Sequence, residues 1–91
     1  MYTVREGALD QWVDEWRQHV LPLRRRFGFV VREAWVIPAT NRFVWLLGYD
    51  ADFDEADGAY YASAERAAVD PDPARLLEHV EHLRLDAVDL T

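Results

Sequence analysis

The chain has no cysteine and no lysine, one serine (Ser63) and one methionine (Met1) among its 91 residues. Without cysteine there is no disulfide, no thiolate nucleophile and no thiolate metal site. With one serine, no glycine-rich phosphate loop and no Gly-x-Ser-x-Gly turn, nucleophilic hydrolysis and nucleotide chemistry lack their usual signatures. No apolar run approaches the roughly 18–20 residues that a membrane-spanning helix needs. The opening MYTVREG has no signal-peptide pattern, so a cytoplasmic setting is expected. Glycine and proline are scarce, four of each, and only DPDP (70–73) is strong punctuation.

What is present points elsewhere. Seventeen acidic residues face ten arginines, for a net charge of −7 and a pI near 4.7. That field repels DNA, RNA and anionic lipid, so neither nucleic acid nor a membrane is expected as partner. Arginine as the sole strong base, with abundant Ala, Asp and Val, fits a GC-rich bacterial genome. The chain is 51% hydrophobic and 13% aromatic, with four Trp. A domain this small hides only about 60–65% of its unfolded surface. The apolar surplus therefore implies burial between chains or around a cavity.

Along the chain, YTVRE reads as a short strand with Tyr2 and Val4 on one face. After Gly7, apolar residues at Leu9, Trp12, Val13, Trp16, Val20, Leu23 and Phe27 mark an amphipathic helix, closed by Gly28. Pro22 lacks an N–H and predicts a kink at Val20–Leu21. Arg24, Arg25 and Arg26 fall in the last turn, where cations complement the helix dipole, and are expected to meet the chain's own carboxylates. FVVREAWVI (29–37) and RFVWLLGYD (42–50) read as a hairpin joined by PATN. In the second strand Phe43, Trp45, Leu47 and Tyr49 share one face, and Val44, Leu46 and Gly48 the other. Both faces are apolar, so both need a cover. Gly48 suggests the side packed on helices, leaving the aromatic side for a second subunit or a ligand. Asp52 with Glu55 starts a second helix through FDEADGAYYASAERAA, DPDP ends it, and Asp72–Pro73 opens a short third, ARLLEHV. HLRLDAVDL closes the chain as a last strand.

The resulting order, β-α-β-β-α-(α)-β, is that of an α+β, ferredoxin-like sandwich: an antiparallel sheet with helices on one face. Several stretches then resemble one family in succession. YTVREG resembles the Tyr-Thr-Leu-Lys-Pro-Gly opening of NIPSNAP-type proteins, a branch of the dimeric α/β-barrel superfamily. WVDEWRQHVLPLRRRFG resembles their first helix, with its Leu-Pro step, basic residues and glycine; REAWV and NRFVWLLGYD their hairpin; AYYASAERAAV their second helix. Leu47 stands where many bacterial relatives carry arginine. The resemblance covers roughly residues 2–70 and implies a single domain over 1–91, a homodimer and a cavity between sheet and helices, without an established reaction or cofactor.

The candidate ligand-binding residues are Trp45, Tyr49, Trp35, Tyr2 and Phe43, an aromatic group suited to an apolar or aromatic small molecule. The alternative is plain core and dimer packing. His19, beside the apolar stripe, is expected to be partly buried. With Tyr60 and Arg32 it forms the candidate set for moving protons, should the cavity serve, as the resemblance to that superfamily implies, a cofactor-independent oxygenase or isomerase acting on an aromatic substrate. Arg32 and Glu33, adjacent on a strand, are expected to face opposite sides, and Arg5 is a further candidate for the cavity wall. His79 and His82 do not fix a third ligand, so no metal site is assigned. A third reading is a structural or protein-interaction subunit with a filled cavity.

Overall fold

A computed structural model describes residues 1–91. Strand β1 (Tyr2–Val4) leads into α1 (Leu9–Glu15), a π-helical turn (Trp16–Val20) and α2 (Leu21–Arg26). Strands β2 (Val30–Ile37) and β3 (Arg42–Gly48) follow, then α3 (Phe53–Ala62), α4 (Ala64–Ala67) and β4 (Leu77–Val80). The four strands form one antiparallel sheet in the order β2-β3-β1-β4. Each βαβ unit is thus split by a strand of the other, an α+β arrangement compatible with the ferredoxin-like fold. No helix is long and apolar enough to cross a membrane.

The first helix breaks where its proline requires. Pro22 has no N–H to give, and the turn before it widens so that the Leu21 N–H reaches the Trp16 carbonyl, five residues back. This has a rotational consequence. At 3.6 residues per turn, eight residues would leave Arg24 roughly 80° around the axis from Trp16. The wider π turn holds an extra residue, retards that rotation and brings Arg24 back toward the Trp16 face. Gly28, at φ +89°, then closes α2. The Phe29 N–H bonds the Arg24 carbonyl and the Gly28 N–H bonds the Arg25 carbonyl, each 3.1 Å or less, the pairing of a Schellman motif.

The β2–β3 hairpin turns through Pro38–Thr40 and a left-handed Asn41 (φ 53°). Asp52 caps α3 through the Glu55 N–H at 3.1 Å, as its spacing predicts. The second helix does not run unbroken. Ser63 turns extended and its Oγ accepts from the Arg66 N–H, capping a separate α4.

Three sequence expectations are corrected. First, the faces of β3 are reversed. Phe43 lies 5.7 Å from Trp12 and 5.0 Å from Trp16, ring to ring, so the aromatic side packs under the first helix. The Gly48 side is open, with Val30, Trp35, Ile37 and Leu46 each about two-fifths exposed. Large rings fill the space between sheet and helix better than a glycine does, and both options satisfy strand alternation. Second, the last strand lies earlier. Asp72 caps a 3₁₀ turn (Pro73–Leu76), Leu76 plugs the core and Leu77–Val80 pairs with β1. Residues 81–91 follow without regular structure, with Leu83, Leu85, Val88 and Leu90 exposed. Both sides of β1 are already taken by β3 and β4, so this later alternating stretch does not pair with β1. Third, the β2 register shifts between Val31 and Ala34, a bulge that leaves both Arg32 and Glu33 exposed instead of sending one inward.

The core has two parts. Tyr2, Val4, Trp12, Trp16, Val20, Val31, Phe43 and Leu76 form the larger. Leu23, Phe29 and Tyr60 form the smaller, under α3.

Candidate functional site

Arg24 stands between these two clusters, and it is the only charged residue the fold buries, at 2% exposure. The π turn and the Schellman closure set its position, and its surroundings explain how a guanidinium survives there. Nη1 donates to Asp57 Oδ1 at 2.7 Å. The guanidinium carbon sits 3.7 Å from the centre of the Tyr60 ring and 4.7 Å from that of Phe29. Tyr61 and Trp45 complete the surround at 5.1 and 5.9 Å. Aromatic faces attract a desolvated cation, and arginine is the base suited to such stacking. Asp57 keeps about a third of its side chain in water, so the pair spans the boundary between core and solvent.

A cavity of about 100 Å³ opens beside this cation. Its walls include Tyr2, Trp12, Trp45, Tyr60 and Tyr61, with Arg24 and Arg66 as its charged members. A shallower groove of about 490 Å³ shares Tyr61, Arg66 and Ala74 with it and extends past Asp70 and Asp72. Arg66 is held at that border by Asp72, at 2.8 Å. Burial pushes the Tyr2 phenol up to about 12, and the nearby Tyr61 adds to the rise. Burial also raises Tyr60, although the Arg24 and Arg66 cations oppose it. Both phenols are therefore neutral hydrogen-bonding groups around neutral pH.

The residues singled out from the sequence divide sharply. Tyr2, Trp45 and Tyr60 line the cavity together. Phe43 lies behind it in the core, stacked 6.3 Å from Tyr2. Tyr49 packs 5.0 Å from Phe29 and against Gly28, away from the cavity wall. Trp35 pairs with Val44 on the opposite face of the sheet. His19 is exposed instead of partly buried, because the stripe turns its neighbours Trp16 and Val20 inward and leaves it on the outer side. Arg32 is exposed on the β2 bulge, and Arg5 reaches outward to the Arg75 carbonyl. The proton-moving set of His19, Tyr60 and Arg32 is thus not assembled in one place.

Sequence reasoning missed Arg24, Trp12, Tyr61 and Arg66. Arg24 was grouped with two neighbours that behave differently: Arg25 donates to the Val31 carbonyl at 2.7 Å, and Arg26 is exposed. The available signal was the Pro22-to-Gly28 spacing, which places Arg24 directly below Phe29 in the closing motif. Compared with known proteins, the chain matches no family model, no curated protein and no solved structure, so the reading of the site rests on its geometry.

Proposed function

We propose that this chain is a small-molecule-binding subunit that receives one apolar or aromatic ring in the cavity beside Arg24. In this reading it works as a homodimer joined through the open sheet face, as the dimeric α/β-barrel proteins of the NIPSNAP type do, which its sequence resembles. The observation that carries the ligand reading is the cavity itself: aromatic walls on several sides and a buried, already neutralised cation at its edge. At about 100 Å³ it is smaller than the apolar cavity of about 150 Å³ that takes up benzene, so even a single ring would reach its open mouth. Larger ligands would extend into the adjoining groove.

The dimer reading is supported by the open face, where Val30, Trp35, Ile37 and Leu46 expose apolar surface side by side. Isolated exposed apolar residues are ordinary, but a contiguous set on one sheet face is not. A second copy is the occupant that meets such a face with equal apolarity. A stable dimer hides about 800 Å² per partner.

The four indoles provide the test. Trp12 and Trp45 line the cavity, Trp16 lies behind it and Trp35 is on the other face. Toluene added to ¹⁵N-labelled protein should shift the Trp12 and Trp45 indole signals and leave that of Trp35 in place. Uniform shifts, or none up to the solubility of toluene, would rule out the ligand reading.

A further inference from the structure

The cavity walls are unbalanced in hydrogen-bonding chemistry. Trp12 Nε1 and Arg24 Nε are buried without a hydrogen-bond partner, and the buried Tyr60 hydroxyl has near it only the Arg66 guanidinium, itself a donor, so that its own proton is unpaired. All three side chains line the cavity, and each residue is at most 2% exposed. No Asp, Glu, Asn, Gln, Ser, Thr or His is among the lining residues. The side chains that line the cavity therefore carry N–H and O–H donors and, phenol oxygens apart, no side-chain acceptor. Buried donors are nearly always paired, because an unpaired one forfeits its hydration without return. Trp16 Nε1 is also unpaired, but Trp16 does not line the cavity.

Resting on the ligand reading above, we infer that the site selects a ring carrying a neutral acceptor oxygen, such as an aryl ketone or a quinone-type carbonyl, over the corresponding hydrocarbon. A carbonyl oxygen has two lone pairs and can accept from two of these donors while its ring contacts the aromatic walls. A carboxylate is the poorer match. Arg24 and Arg66 are already neutralised by Asp57 and Asp72, at 2.7 and 2.8 Å. An entering anion would then meet no net positive charge, in a chain that itself carries −7. The preference has a definite sign. A purely apolar cavity disfavours a carbonyl, which must shed its water unpaired, whereas a site furnished with donors rejects the analogue that lacks the oxygen.

Acetophenone and α-methylstyrene differ only by C=O against C=CH₂ and make a matched pair, with benzoate as the anionic probe. Titrated into the ¹⁵N-labelled full chain, acetophenone should bind about tenfold more tightly than α-methylstyrene, the gain of one or two net hydrogen bonds. The Trp12 indole proton should move downfield while that of Trp16 stays. Tyr60→Phe keeps the ring over Arg24 and removes one donor. It should cut the preference for acetophenone over α-methylstyrene by about threefold. Equal or tighter binding of α-methylstyrene would overturn the inference while leaving the ligand reading intact. Tighter binding of benzoate than of acetophenone, or a preference unaltered in Tyr60→Phe, would overturn it too. If neither neutral ring binds, the ligand reading itself falls and this inference with it.

Discussion

The two faces of the sheet are built from similar residues and arrive at different ends. On the helix side, Tyr2, Phe43 and Trp45 meet Trp12 and Trp16 edge-on, with ring centres 5.0–5.7 Å apart. On the other side Trp35 stands among Val30, Val44, Ile37 and Leu46 with no layer over it. The difference lies in the cover. Large rings facing a helix rich in Trp close around a cation and a small cavity, whereas the same kind of residue facing nothing stays partly in water. An apolar strand face thus acquires its role from the element that lies across it.

The largest expected effect contrasts the two faces directly. Phe43→Ala should destabilise the fold by about 3–5 kcal/mol, the usual cost of emptying a ring-sized core site. Trp35→Ala should change subunit stability by less than about 1 kcal/mol and instead weaken self-association. Urea unfolding at concentrations above and below the association midpoint separates the two effects. Equal losses at both positions would erase the distinction between the faces.

Next comes an asymmetry within the Arg24–Asp57 pair. Asp57→Ala leaves a fully buried cation without its counter-charge and should cost about 2–3 kcal/mol, somewhat under the cost for a pair buried at both ends. Arg24→Met leaves Asp57, which reaches water, and keeps much of the packing, so about 1 kcal/mol is expected. The ordering is unusual because the more exposed partner is the costlier one to remove. A chemical-denaturation series that ranked Arg24→Met as the worse substitution would contradict the buried-cation account.

Alkaline pH probes the same side of the sheet. The Tyr2 phenol is raised to about 12, so the stability its neutral form contributes is fully present below pH 10 and lost as pH rises from there toward 12. A shift of that size corresponds to roughly 2–3 kcal/mol. Phenolate absorbance followed with increasing pH should show Tyr2 and Tyr60 ionising late, together with unfolding. At the acid end, the Arg75 hydrogen bond holds Glu15 below its usual value. Burial pushes Asp72 up, but its bonds from Arg66 and the Ala74 N–H outweigh that and lower it. Their contributions are present above the ordinary carboxylate range and vanish as pH falls below it, so stability should decline at acid pH.

The smallest effect is expected at Arg26, exposed at the end of α2. Arg26→Gln should cost no more than about 0.5 kcal/mol and leave ring binding unaltered, whereas Arg24→Met should impair that binding. The three consecutive arginines would then be one buried site residue, one backbone clamp and one dipole partner.

Much of the fold was legible because its signals are local. Pro22, Gly28, the Asp52 cap, the PATN turn and the helical stripe each act within a few residues, and each does so in the structure. The side of β3 that meets the helices was not legible, since alternation separates Trp45 from Leu46 without saying which one is covered. Strand β4 was misplaced because 83–90 alternate more clearly than Leu77–Val80, although only the earlier segment follows the capped turn that delivers it to β1. Three of the five aromatic residues of the cavity wall, Tyr2, Trp45 and Tyr60, were visible, because their aromatic character is plain in the sequence. Arg24 was hidden because an arginine in a last helical turn ordinarily faces water, and only the rotation introduced by the π turn sends it inward.

The division of labour between the faces is tested most directly by the mass of the chain in solution, measured by light scattering after size exclusion at low micromolar concentration. A dimer of twice the 10.6 kDa chain is expected, converted to monomer by Leu46→Glu on the open face without loss of ring binding on the helix side. A clean 10.6 kDa monomer would contradict it, as would a dimer indifferent to that substitution.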